Sequence, residues 1–112
     1  MRWLFGHRWQ GVNFAVGNQI IIEKEMGLSH RDFFRTIASA LGTDSFATLG
    51  NGIRLETDDK SLQIELGVES ERRIALMVIP RTVVTLTFTN YADEDVKSVV
   101  KRFDMRFKRG GG

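Results

Sequence analysis

From Ile53 to Thr89 the chain reads as alternating apolar and polar residues broken by turn-formers, and this pattern constrains the fold more than any other feature. Ile53, Leu55 and Thr57 alternate with Arg54 and Glu56, Asp58-Asp59-Lys60 makes a tight turn, and Leu62, Ile64 and Leu66 alternate with Gln63 and Glu65. Successive strand side chains point to opposite faces, so this segment predicts a hairpin with one apolar and one wet face. After the charged loop from Gly67 to Arg73, the run Ile74-Ala75-Leu76-Met77-Val78-Ile79 is apolar at every position, as expected of a central strand covered on both sides. Pro80, the only proline, is expected to end that strand at a turn. Val84, Leu86 and Phe88 then alternate with Thr85, Thr87 and Thr89. A sheet with one apolar face must bury it against another layer, so the chain has to supply a cover.

Two helical stripes supply it. Ser29 opens the first helix, with Asp32 three residues on in capping-box spacing, and Gly42 closes it. At about 100° per residue, Phe33, Phe34, Ile37 and Leu41 form one stripe while Arg31, Arg35, Thr36 and Ser39 face away. The second helix runs from about Ala92 to Lys108, and its stripe is Val96, Val99, Val100, Phe103 and Phe107. Asp93, Glu94 and Asp95 in its first turn and Lys108 and Arg109 at its end complement the helix dipole.

Trp9 to Lys24 is extended. Gly17-Asn18 is either the two-residue turn of a hairpin, the preferred reading, or a bulge in one long strand. Thr43 to Gly52 reads as a loop with one short turn around Phe46 and Leu49. The expected fold is α+β, a two-layer sandwich in which an antiparallel meander sheet of four to six strands is covered on one face by two helices. The covered face is expected to comprise Leu55, Leu62, Ile64, Leu76, Leu86 and Phe88. This β-α-β4-α order resembles the TATA-box-binding-protein-like and helix-grip folds. The resemblance is one of element order and implies architecture alone, with a sheet–helix cleft as the usual ligand position. With 112 residues the chain has room for one core, so residues 1–109 are expected to form a single domain and 110–112 a flexible glycine tail. A Gly-Gly terminus also occurs in ubiquitin-like sulfur carriers, but those folds enter it from a strand, whereas here a helix leads into it.

Composition excludes several chemistries. No Cys means no thiol nucleophile, disulfide, iron–sulfur cluster or Cys-ligated zinc. The longest apolar run, Ile74 to Ile79, is far below the roughly 20 residues of a membrane span. The opening Met-Arg-Trp-Leu-Phe-Gly-His-Arg lacks a signal-peptide core, and a cytoplasmic location is expected.

No catalytic motif emerges. His30-Arg31-Asp32 spells the catalytic-loop triplet of protein kinases, yet it opens a helix in a chain without a glycine-rich loop or Asp-Phe-Gly. His30 as a general base beneath the helix is weaker than His30 as a hydrogen-bonded structural residue. A metal would have only His7, His30 and the acids Asp58-Asp59 and Asp93-Glu94-Asp95, all placed where turns and helix starts favour acids. Gly50-Asn51-Gly52 leads into a strand without the Lys-Ser/Thr of a phosphate loop. Enzymatic activity is the minority reading, and no cofactor or metal is expected.

Two surface features carry the functional expectation. Between Lys97 and Arg109 the last helix has Lys97, Lys101, Arg102, Arg106, Lys108 and Arg109 against one acid, Asp104, so this stretch is net +5 where the whole chain is +2. Such a face can attract phosphates, anionic lipid or an acidic partner. Nucleic acid ranks below the other partners, because no aromatic–basic interleaving marks a stacking surface. The second feature is apolar. Ala75, Met77 and Ile79 are expected on the second sheet face, covered by Trp3, Phe5 and Trp9 or used by a homodimer, another protein or a small apolar ligand. The leading expectation is a non-enzymatic binding module or accessory protein acting through that strip or the sheet–helix cleft, with nucleic-acid or polyanion binding by the last helix as the alternative.

Overall fold

The computed structural model describes residues 13–16 and 18–109, with side chains from 18 to 108. The elements are β1 (Asn13–Val16), β2 (Gln19–Met26), α1 (His30–Leu41), β3 (Ala47–Leu49), β4 (Gly52–Thr57), β5 (Lys60–Leu66), β6 (Ser70–Ile74), β7 (Met77–Thr89) and α2 (Asp93–Arg109). The antiparallel sheet runs β1-β2-β7-β5-β4-β3, and β6 pairs with β7 off this path. It forms one layer and the two helices the other, the α+β arrangement expected of one wet-faced sheet and two amphipathic helices.

Register explains which residues are buried. Ile22 and Ile64 both lie opposite Leu86, and Ile20 and Leu62 opposite Phe88, so β2, β7 and β5 present one continuous apolar face. Against it pack Phe33, Ile37 and Ala40 of α1 and Val96, Val100, Phe103 and Phe107 of α2. Phe33 stacks on Phe107 with centroids 5.8 Å apart, and Phe107 meets Phe103 at 4.5 Å. These rings are buried between the helices and the sheet. The opposite face carries Glu23, Thr85, Thr87, Gln63, Glu65 and Arg54 side by side.

Both ends of α1 follow the expected chemistry. The Ser29 hydroxyl accepts from the Asp32 amide at 3.1 Å, and Gly42 takes φ 75 as its N–H returns to Ala38. Gly52 is required for a different reason: any β-carbon there would collide with the Ile64 carbonyl oxygen of β5.

Val16 pairs with Gln19, so β1 and β2 form the hairpin that Gly17-Asn18 predicts. Other expectations are corrected. The stretch 43–52 contains β3, which pairs Ala47–Leu49 with β4. Of the expected meander the β4–β5 hairpin holds, but β5 then pairs with β7 directly, and β2 adds to the far side of β7 and makes β7 an inner strand. Ile74–Ile79 is not a central strand: it spans the end of β6, a turn and the start of β7, well outside the sheet. Leu76 is therefore absent from the covered face and fully exposed, and Leu55 is only half-buried. Pro80 does not end a strand; it lies within β7 opposite Glu71.

Candidate functional site: an exposed β-arm

β7 is 13 residues long, and only its second half, from Thr82, pairs with β2 and β5. Its first half, Met77–Arg81, pairs with β6 alone. β6 continues the line of β5 along the same strand, with the register advanced by one residue between the Leu66–Val84 and Ser70–Arg81 pairs. That extra residue is a bulge of the kind that bends a ribbon and re-aims it. Gly67 sits there, its N–H bonded to the Val83 carbonyl at 2.8 Å. The result is a two-stranded arm, β6 with the first half of β7, that continues beyond the rest of the sheet.

The arm ends in a two-residue turn, Ala75-Leu76, closed by the Ile74–Met77 pair. Ala75 holds φ 56, a left-handed conformation that disfavours any residue with a β-carbon by about 1–2 kcal/mol. Around this turn Leu76 is 100% exposed, Met77 61%, Ile74 50% and Val78 45%. An isolated two-stranded ribbon is marginal in water, and an apolar tip adds a hydration cost that packing among the described residues does not remove. Immediately behind the tip stand Arg73, opposite Val78, and Arg72, opposite Ile79.

Each residue singled out in the sequence has a definite place. Ala75 and Met77 belong to the tip, whereas Ile79 is half-buried beside Gly27. Trp3, Phe5, Trp9 and His7 lie outside the described residues. On α2, Lys97, Lys101, Arg102, Arg106 and Lys108 are exposed, and the side chain of Arg109 lies outside the described ones. Ser98, Lys101, Arg102, Met105 and Arg106 line an open groove of about 460 Å³ along the outer face of that helix. Arg102 has a structural use as well: its guanidinium packs against Gly42, placing a cation at the C-terminal end of α1, which has none of its own in its last turn. Asp104, the one acid in the basic stretch, pairs with the buried Lys24 at 3.1 Å.

His30 is occupied by structure. Its Nε2 lies 2.7 Å from the Gly67 carbonyl, and its backbone N–H donates to Glu69 Oε1 at 2.8 Å, which sets a carboxylate at the start of α1. At the opposite end of the sheet, Asn90 adopts φ 64, donates to the Asp59 carbonyl at 2.8 Å and accepts from the Asn18 amide at 2.6 Å, tying three chain reversals together. Beside it, burial and the nearby Asp95 carboxylate push the Tyr91 phenol above its ordinary value. Among the described residues no group of three or more His, Asp or Glu side chains is placed to hold a metal, and no helix is long and apolar enough to cross a membrane.

Sequence reasoning missed Ile74, Leu76 and Val78 as a shared exposed tip. The signal was present: a six-residue apolar run bracketed by Arg72-Arg73 and Pro80-Arg81, with no alternation. No protein-family model, curated protein or solved structure matches the chain.

Proposed function

We propose that this protein is a non-enzymatic interaction module, an accessory protein whose working surface is the tip of the β6–β7 arm. The observation that carries this reading is the full exposure of Leu76 between the half-exposed Ile74 and Met77. The strained Ala75 supports it, because a left-handed alanine persists only where something maintains it. The buried Phe33, Phe103 and Phe107 rings between helices and sheet favour the arm over an interlayer ligand cleft. A reducing, cytoplasmic setting belongs to this reading and is supported by a chain without Cys.

Met77→Glu tests it. Sedimentation velocity and vesicle flotation of the unaltered protein are expected to reveal association, either with itself or with lipid, that Met77→Glu removes while leaving the melting temperature unchanged. No association, or association indifferent to the substitution, refutes the reading.

A second reading is favoured by the groove that Lys101, Arg102 and Arg106 share on α2. One basic helical face attracts polyanions without reading bases, so nucleic-acid binding is expected to be weak, sequence-indifferent and steeply salt-dependent. Submicromolar binding to a defined oligonucleotide at physiological salt, abolished by charge reversal at Lys97, Lys101 and Lys108, would place this reading first.

A further inference from the structure

We infer that the arm docks on an anionic lipid surface, its tip sinking to the boundary between headgroups and acyl chains. This rests on the arm being the working surface and names its partner.

The argument begins with spacing. Strands rise about 3.3 Å per residue, so the Arg73–Val78 rung lies about one such step behind the Ile74–Met77 rung and the Arg72–Ile79 rung about two. Amphipathic segments at a membrane interface bury their apolar part about 5–10 Å, and long cationic side chains reach back to the phosphates. A tip of Ile74, Ala75, Leu76 and Met77 followed by two arginines matches that depth without submerging more of the ribbon. Shallow docking also leaves the open edges of the arm in water, where their amide and carbonyl groups remain hydrated.

The charge around the arm's base agrees. Lys60, the first residue of β5, reaches Asp95 early in α2, and Lys24 late in β2 reaches Asp104, so α2 runs along the sheet toward the end from which the arm leaves. Arg106 and Lys108 follow Asp104 toward that end, and Arg31 is there too, since His30 contacts Gly67 at the bulge. Of the acids at this pole, Glu25 is paired with Arg81 and Asp104 with Lys24; Glu69, which accepts from the first amide of α1, and Glu71 keep their charge and oppose the remaining cations. Arg31, Arg72, Arg73, Arg106 and Lys108 make no ion pair among the described residues. The pole is thus an apolar point ringed by positive charge. A second copy offers the same positive pole and is repelled tip to tip, and a polyanion offers charge without an apolar layer. An anionic bilayer offers both.

Flotation of the full chain with vesicles of phosphatidylcholine alone, and of phosphatidylcholine mixed with phosphatidylserine, tests this. Binding is expected on the mixed vesicles, weakened by salt and much weaker on phosphatidylcholine alone. Leu76→Glu is expected to abolish it, and Arg72→Gln combined with Arg73→Gln to lower it by about tenfold or more. Because the chain has no Cys, Ala75→Cys carries a single environment-sensitive dye whose emission is expected to shift to the blue on mixed vesicles. Binding that survives Leu76→Glu, or is equal on both vesicle types, overturns the inference. Self-association lost on Leu76→Glu, with no vesicle binding, also overturns it while leaving the arm as the working surface; neither form of association overturns both.

Discussion

Replacement of Phe103 by Ala removes a fully buried ring at the centre of the helix–sheet interface. The ring lies 4.5 Å from Phe107, which stacks in turn on Phe33 of α1, so the loss reaches both helices. Transfer of the ring from water contributes about 2–3 kcal/mol. Its neighbours are fixed by sheet register and cannot collapse fully into the space, so the cavity and lost ring contacts raise the cost to about 3–5 kcal/mol. A domain of 112 residues has of order 6–17 kcal/mol in total, so the variant folds but melts about 12–20 °C lower. Urea denaturation monitored by circular dichroism measures the difference. Met105→Ala, two residues away on the exposed side, provides the control and is expected to change stability by no more than about 0.5 kcal/mol. A cost below about 1 kcal/mol for Phe103→Ala would refute the packing of α2 described above.

Three further outcomes are expected. Asp104→Ala removes an acceptor from the buried Lys24 ammonium and is expected to cost about 1.5–3 kcal/mol in urea melts, well above the effect of Lys101→Ala on the exposed side. Asn90→Ala loses two side-chain hydrogen bonds and keeps an unfavourable φ, so it is expected to be less stable than Asn90→Gly, which relieves the backbone; equal melting temperatures would argue against the left-handed conformation. Tyr91 is the only tyrosine, so phenolate absorbance reports it alone, and its midpoint is expected above 10. Because the folded pKa is raised, this group's contribution to stability is complete below the ordinary tyrosine value and is lost as pH rises through the folded one.

Periodicity carried most of the architecture. The α1 boundaries were legible from Ser29 and Gly42 because capping needs a side-chain acceptor at one end and a left-handed residue at the other. The stripe Val96, Val100, Phe103 and Phe107 and the shared covered face of Leu62, Ile64, Leu86 and Phe88 followed from spacing, but the direct pairing of β5 with β7 did not, because Ile74–Ile79 was expected between them. The three-residue β3 was hidden because glycine and asparagine turn signals outweigh so short an apolar pattern. The arm was misread for a deeper reason. An apolar run without alternation is compatible with cover on both faces or on neither, and only the registers of the neighbouring strands decide which. Lys24 continues the phase of the buried Ile20 and Ile22, and its partner Asp104 is the lone acid among the six cations from Lys97 to Arg109; spacing alone did not pair them.

Hydrogen–deuterium exchange of the full chain, with and without vesicles containing phosphatidylserine, tests the central claim most directly. The account predicts protection gained across Ser70–Arg81, centred on the Ala75-Leu76 turn, with the amides of Ile22, Ile64 and Leu86 already protected and unchanged. Protection appearing along α2 from Lys97 to Lys108 while Ser70–Arg81 stays unchanged would contradict it and assign the working surface to the basic helix.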